Sequence, residues 1–155
     1  MFFSNAILGD AMPDRTLCLT FDDGPGLHTL EIAEYLHGFG IPGTFFLIGN
    51  YAERVAPGEL RRLMQLGHLI GNHTRSHEDW VSHPVEEIER AHRAIEPFAT
   101  TGRLGRLPFR APRGFWNRSL AESLNADERL RRTYFGPVGW DIDCRDWEFW
   151  RKAKD

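Results

Sequence analysis

The sequence predicts an α/β fold on a parallel sheet: a distorted, incomplete (β/α) barrel with its helices outside. Three observations predict it. Apolar β-prone runs and helical stripes alternate along the chain, strand then helix, through five strands. The run Gly43-Thr44-Phe45-Phe46-Leu47-Ile48 is continuously apolar rather than alternating, as in a strand covered on both faces. Chemically reactive residues recur just after the strands, where parallel α/β folds place their sites. At 155 residues the chain is expected to form one domain, 1–155, with a real core.

Taken in order, Thr16-Leu17-Cys18-Leu19 reads as the first strand, with Cys18 a buried free thiol inside it. Asp23-Gly24-Pro25 cannot continue a regular element. Leu27 to Phe39 is a helix with Ile32, Leu36 and Phe39 on one side, ended by Gly40 and Pro42. Gly43–Ile48 is the second strand. Glu59 to Leu66 is helical, with Leu60, Leu63 and Met64 inward, and His68–Gly71 makes a short third strand. Pro84 opens a helix at its favoured first turn, and Val85, Ile88, His92, Ile95 and Ala99 form its stripe. A polar linker, Thr100 to Gly105, leads to a short fourth strand, Leu107–Arg110, limited by its proline. Asn117 to Asn125 is a helix, Arg129 to Arg132 a solvated basic face, and Val138–Ile142 the last strand.

The bulk composition excludes more than it selects. A net charge of −3 offers no concentrated positive field, so nucleic acid is not an expected partner. No run approaches the roughly 20 apolar residues of a membrane span. The N-terminal apolar run is too short and lacks a basic start for a signal peptide, so the chain as written reads as cytoplasmic. Cys18 and Cys144 form no CxxC pair and no disulfide framework. Seven histidines and five tryptophans are generous for this length and suit metal, proton and sugar chemistry.

The stretch Thr20-Phe21-Asp22-Asp23-Gly24-Pro25 puts two carboxylates side by side where a strand meets a turn. Like charges are costly there unless a cation or an arginine compensates them. After the third strand comes His73-Thr74-Arg75-Ser76-His77. Histidines four residues apart face one ion if the segment is helical or tightly turned. Two imidazoles and one carboxylate are the usual ligands of a hydrolytic zinc site. The ion needs one aspartate, which leaves the other as general base. Arg110, after the fourth strand in Phe109-Arg110-Ala111-Pro112-Arg113-Gly114-Phe115-Trp116, is the counter-charge for whichever aspartate is the base. The run from Trp140 to Trp147 interleaves tryptophans with Asp141, Asp143 and Asp146, a combination suited to stacking and hydrogen-bonding a sugar. Trp140 itself is expected to pack structurally.

These four blocks, in this order and spanning about Thr16 to Trp147, resemble the polysaccharide deacetylase (NodB-homology) family of carbohydrate esterases. Gly43–Phe46 and Gly67–Asn72 match its usual context. The resemblance implies that Asp22 is the base and that Asp23, His73 and His77 bind a divalent metal: Zn2+, with Co2+, Ni2+ or Mn2+ as alternatives. It implies that Arg110 orients the base, that a backbone N–H beside Arg113 helps bind the oxyanion, and that Asp146 tunes the catalytic acid. It places Arg113, Trp116 and Trp147 around the substrate, with Trp147 lining the acetyl pocket. The implied reaction removes N-acetyl or O-acetyl groups from chitin oligomers, peptidoglycan or xylan, in a family often found outside the cytoplasm. Arg113 stands where the family commonly has an aromatic residue, which makes the rim more basic. The family's later Leu-x-His is absent, and no histidine follows His92. The expectation is therefore a shortened member, or one whose general acid and barrel closure come from another group or a second copy of the chain. Two rivals stay open: a metal- and glycan-binding relative without turnover, and a same-fold amidase or deformylase acting on a small substrate. An iron oxygenase ranks below both, having little call for a second adjacent aspartate and a paired arginine.

Overall fold

The computed structural model describes residues 1–101 and 104–152. Its strands are β1 (Phe2–Ile7), β2 (Leu19–Gly24), β3 (Gly43–Leu47), β4 (Leu69–Asn72), β5 (Leu107–Pro108) and β6 (Tyr134–Val138). Between and after them run helices α1 (Thr29–Gly38), α2 (Gly49–Ala52), α3 (Pro57–Gln65), α4 (Pro84–Ile95), α5 (Arg118–Ala126), α6 (Glu128–Thr133) and α7 (Trp147–Lys152). Every strand pairing is parallel. Two three-stranded sheets, β2-β3-β4 and β5-β6-β1, meet at a parallel bridge between Asn72 and Phe109. The α/β class with parallel strands is thus as expected. No pairing closes β1 onto β2 among the described residues, so a closed barrel is not seen.

The sheet is nevertheless curled. Arg110, just past β5, hydrogen-bonds Thr20 and Asp22 on β2, three places away in strand order. On a flat sheet that separation is about 14 Å, further than one side chain spans.

Local chemistry explains the elements. Pro57 and Pro84 occupy first turns of α3 and α4, where a missing N–H costs nothing. Asn117 and Asp127 cap α5 and α6 by accepting the N–H groups of Leu120 and Leu130. Leu60 and Leu63 of α3 join Ala33, Phe45, Leu47, Ile70 and Ile95 in one core cluster. A second cluster gathers Phe2, Trp80, Ile88, Phe109, Leu124, Leu130 and Tyr134. His68 is a core residue that ties elements together. Its Nδ1 accepts from the Gly43 N–H, and its Nε2–H donates to the Ala33 carbonyl. Gly71 has to be glycine, because a Cβ there would stand 2.5 Å from the Phe46 ring.

Several expectations are corrected. The first strand is displaced toward the motif: Thr16–Cys18 precede β2, and Leu17 and Cys18 are exposed. The reason is register. Leu19 pairs with Gly43, where β3 begins, so Thr16–Cys18 have no partner on β3. Phe39 lies beyond the end of α1 and stacks on Tyr35 outside the core, while Ala33 and Leu36 are buried. The last strand ends where it was expected to start: β6 closes at Val138, and Trp140 and Ile142 are exposed. The basic face at Arg129–Arg132 is helix α6, with Leu130 buried and Arg129 and Arg132 paired to Glu89 and Glu128. β1 gave no signal because only Phe2 of its residues is fully buried, so it carries no period-two pattern. Of the expected linker Thr100–Gly105, Gly102 and Arg103 lie outside the described residues.

Candidate metal centre and catalytic pair

The curl brings the carboxyl ends of β2, β4 and β5 to one place. Asp22 and Asp23 are within the last residues of β2 rather than after it, where the register against β3 is broken between Phe21 and Gly24. Asp23 has φ 63°, in the left-handed region. This kink lets neighbouring carboxylates serve different partners.

Asp22 faces Arg110. Its Oδ1 accepts from Nη1 at 2.8 Å, and the same nitrogen donates to the Thr20 hydroxyl at 2.7 Å. Nε and Nη2 of Arg110 donate to the carbonyls of Val138 and Gly139. The guanidinium lies 4.3 Å from the centre of the buried Phe46 ring. All three nitrogens of the fork donate, and the side chain is only 3% exposed. Arg110 is therefore a fixed post against which Asp22 is set.

Asp23 faces the histidines. Its Oδ1 is 3.4 Å from Nε2 of His73 and 3.2 Å from Nε2 of His77. One ligand atom from each of the three residues lies within 4.8 Å of the other two. Ligands on a tetrahedral zinc ion lie about 3.3 Å apart, so the donor set fits such an ion. Its protonation fits as well. His73 and His77 beside it hold the Asp23 carboxyl below its ordinary range, and burial lowers the affinity of His77 for a proton. An ionised carboxylate and a neutral imidazole are the forms a cation requires. His73, 2% exposed, donates its Nδ1–H to the Arg110 carbonyl at 2.8 Å, which turns Nε2 toward Asp23. His77 is 20% exposed at the rim. The two imidazoles reach one point through a tight turn, not a helix, with Thr74 and His77 both left-handed.

Of the remaining expected residues, Arg113 and Trp116 line an open groove of about 810 Å3 beside His77, together with Phe115 and Trp80. Arg113 is exposed and left-handed (φ 55°, ψ 17°). Trp116 also packs: it stacks on Trp80, and its Nε1–H donates to the Phe3 carbonyl. Trp140, although exposed, lies over Arg110, with the guanidinium carbon 5.5 Å from its ring centre. Asp146 is exposed just before α7. It forms no hydrogen bond or ion pair with Asp22, Asp23, His73, His77 or Arg110 among the described residues. Trp147 opens α7 and is 46% exposed. Sequence reasoning missed Thr20 as a partner of Arg110, and missed Asn72, Glu87, His92 and Tyr134 behind the histidines. Thr20 and Asn72 stood inside or beside the motifs. Glu87 and Tyr134 carried no local signal.

Comparison with known proteins identifies the family. The family model described as polysaccharide deacetylase matches residues 9–129. A chitooligosaccharide deacetylase of Rhizobium leguminosarum bv. trifolii is 37% identical, over 86% of this chain and 60% of the relative. A peptidoglycan-N-acetylglucosamine deacetylase of Bacillus cereus is 37% identical, over 85% of this chain and 46% of the relative. The family 4 carbohydrate esterase of Streptomyces lividans, solved with acetate, superposes with a TM-score of 0.71 at 28% identity, covering 88% of this chain and 68% of that one. The chain spans about three fifths of the length of the first curated relatives it matches.

Proposed function

This chain belongs to the polysaccharide deacetylase family, and on that premise we propose that it hydrolyses N-acetyl groups of an amino-sugar polymer, using a divalent ion, first of all zinc, held by Asp23, His73 and His77. The observation that carries the reading is the division of labour between two adjacent carboxylates: Asp22 on Arg110, Asp23 on the imidazoles. When bound, the ion supplies Lewis-acid polarisation and an acidified water.

The chain's own residues do the rest. Asp22 is the base. Its Oδ1 is held by Arg110, while Oδ2, 4.0 Å from His73 Nε2, faces the centre and is free to take a proton. The same oxygen is placed to return that proton to the departing nitrogen. Arg110 keeps the carboxylate oriented through both states. In this reading the oxyanion donor is the backbone N–H of Arg113. The next two amides donate to the Ala111 and Pro112 carbonyls, whereas that of Arg113 has no acceptor among the described residues. The groove past His77, with Trp116 and Arg113 on its wall, is where the sugar chain lies. In the same reading the curled sheet is part of a (β/α) barrel.

The test is acetate release by zinc-loaded protein from chitooligosaccharides, peptidoglycan fragments and acetylated xylan. Asp22→Asn is expected to abolish release and leave zinc uptake intact. Release from none of the three substrates by the wild type sinks the catalytic reading. A second reading is a protein that binds zinc and glycan without turnover; it is kept because Asp146 bonds none of Asp22, Asp23, His73, His77 and Arg110 among the described residues. It predicts glycan binding with no acetate.

A further inference from the structure

The segment that presents His73 and His77 has little regular structure of its own. Thr74 and His77 take left-handed backbones, which side-chain-bearing residues adopt only under constraint. The constraint comes from two neighbouring helices. α2 supplies N–H groups: Gly49 and Asn50 donate to the Thr74 and Arg75 carbonyls. α4 supplies the opposite. Glu87 accepts, on its single oxygen Oε2, the N–H of Arg75 at 3.1 Å, the N–H of Ser76 at 2.8 Å and the Ser76 hydroxyl at 2.9 Å. Behind it, Asn72 donates to the Ile88 carbonyl of α4 and to the Tyr134 hydroxyl, and takes the Thr74 N–H on Oδ1.

We propose that Glu87 is a positioning residue for the metal centre: its carboxylate fixes the turn that aims His77, and through that turn it sets affinity for the divalent ion. This rests on reading Asp23, His73 and His77 as a metal site. Glu87 bonds neither imidazole. It holds Ser76, the residue before His77, and Arg75 before that. The two histidines differ in what else restrains them. His73 is buried and pinned by its own bond to the Arg110 carbonyl. His77 is at the rim, and among the described residues its backbone N–H bonds just the Thr74 hydroxyl of the same turn. Without Glu87 the two N–H groups find water in this half-buried place, the fold persists, and His77 loses its aim. Outer partners of metal ligands characteristically govern affinity by about 10–100-fold.

The experiment is zinc titration against a competing chelator, with thermal denaturation of the metal-free protein alongside, for wild type, Glu87→Ala and Glu87→Gln. Glu87→Ala is expected to weaken zinc by about 10–100-fold in protein that is fully folded at the assay temperature. Glu87→Gln, which keeps an acceptor oxygen without the charge, is expected to fall between the two. A merely structural role predicts a lower melting temperature and an unchanged zinc affinity of the folded protein, and that outcome overturns the proposal. If Glu87→Ala does not fold, Glu87→Gln decides, and wild-type zinc affinity in that variant overturns it as well. A wild-type protein that takes up no zinc overturns the metal reading and this inference together, whereas zinc uptake unaltered by either variant removes this inference alone.

Discussion

Replacing Arg110 with alanine is the perturbation that most directly tests how the site is built. Its guanidinium gives four hydrogen bonds, at 2.7 and 2.8 Å to Thr20 and Asp22 and at 3.0 and 2.7 Å to the Val138 and Gly139 carbonyls. Arg110→Ala leaves a hydroxyl, two carbonyls and a carboxylate unpaired, and uncovers the Phe46 ring beneath. Removing one partner of a buried ion pair costs about 3–5 kcal/mol. The Asp22 side chain is 31% exposed, so water recovers part of its charge and the lower end, about 3 kcal/mol, applies. For a chain of this size that is a fall of roughly 6–12 °C in Tm. Arg110→Lys keeps the charge but replaces a planar fork by a point donor, and should fall between the two. Denaturant unfolding followed by tryptophan fluorescence measures the stability, and acetate release at fixed zinc measures the function. Arg110→Ala within about 0.5 kcal/mol of wild type, the range of a bland surface change, would refute the picture of Arg110 as the post holding Asp22. So would a lysine variant equal to wild type in both assays.

Other perturbations have outcomes of known sign. Free zinc at 100 times its Kd should add about 2.7 kcal/mol to unfolding; thermal melts with zinc and with chelator should differ accordingly, and Asp23→Asn should erase the difference. Burial lowers the proton affinity of His92, which therefore stays neutral and accepts the Tyr134 hydroxyl hydrogen on Nδ1. A group whose folded state disfavours the proton contributes stability fully above its unfolded pKa near 6.5 and loses it as pH falls below that value. Unfolding free energies at pH 7.5 and 5 should thus diverge more in wild type than in His92→Leu, and equal slopes would remove His92 from the account. Tyr134→Phe leaves that imidazole and one Asn72 bond unmet in the core, at about 1–3 kcal/mol by denaturation. Gly71→Ala drives a methyl into the Phe46 ring and should cost about 1–3 kcal/mol by the same measurement.

What the chain reveals unaided follows from the range of its signals. The helices α3 and α4 were legible from their apolar stripes, α4 also from its proline start, and α5 was placed to within a residue at each end. Strands β3 and β4 were legible from apolar runs between glycines. β1 was not, since its place depends on β6, whose Gly136 pairs with Phe2. Cys18 went from an expected core thiol to an exposed one for the same reason: strand limits are decided by where the partner strand begins, and Leu19 is the first residue with a partner on β3. In the site, Asp22, Asp23, His73, His77 and Arg110 were nameable as candidates, because paired carboxylates at a strand end call for a cation, histidines four apart can share one, and Arg110 follows a strand of its own; their separate roles came from the family resemblance. Their supports were not nameable. Glu87 looks like any glutamate on a helix, and only the packing of α4 beneath the histidine turn shows what it accepts.

The sequence by itself determined the class of fold, helices α3, α4 and α5, strands β3 and β4, and the donors available for chemistry, since these depend on side-chain type and on short-range periodicity. Residue spacing left open which aspartate meets which partner; the resemblance implied an answer, and the tertiary structure has Asp22 on Arg110 and Asp23 beside the imidazoles. Asp22 and Arg110 are 88 residues apart in the chain. They touch because the parallel sheet curls and the register break at the end of β2 turns neighbouring carboxylates apart. That outcome is set by pairings among strands distant in sequence and by the close packing behind them, which local preference does not encode.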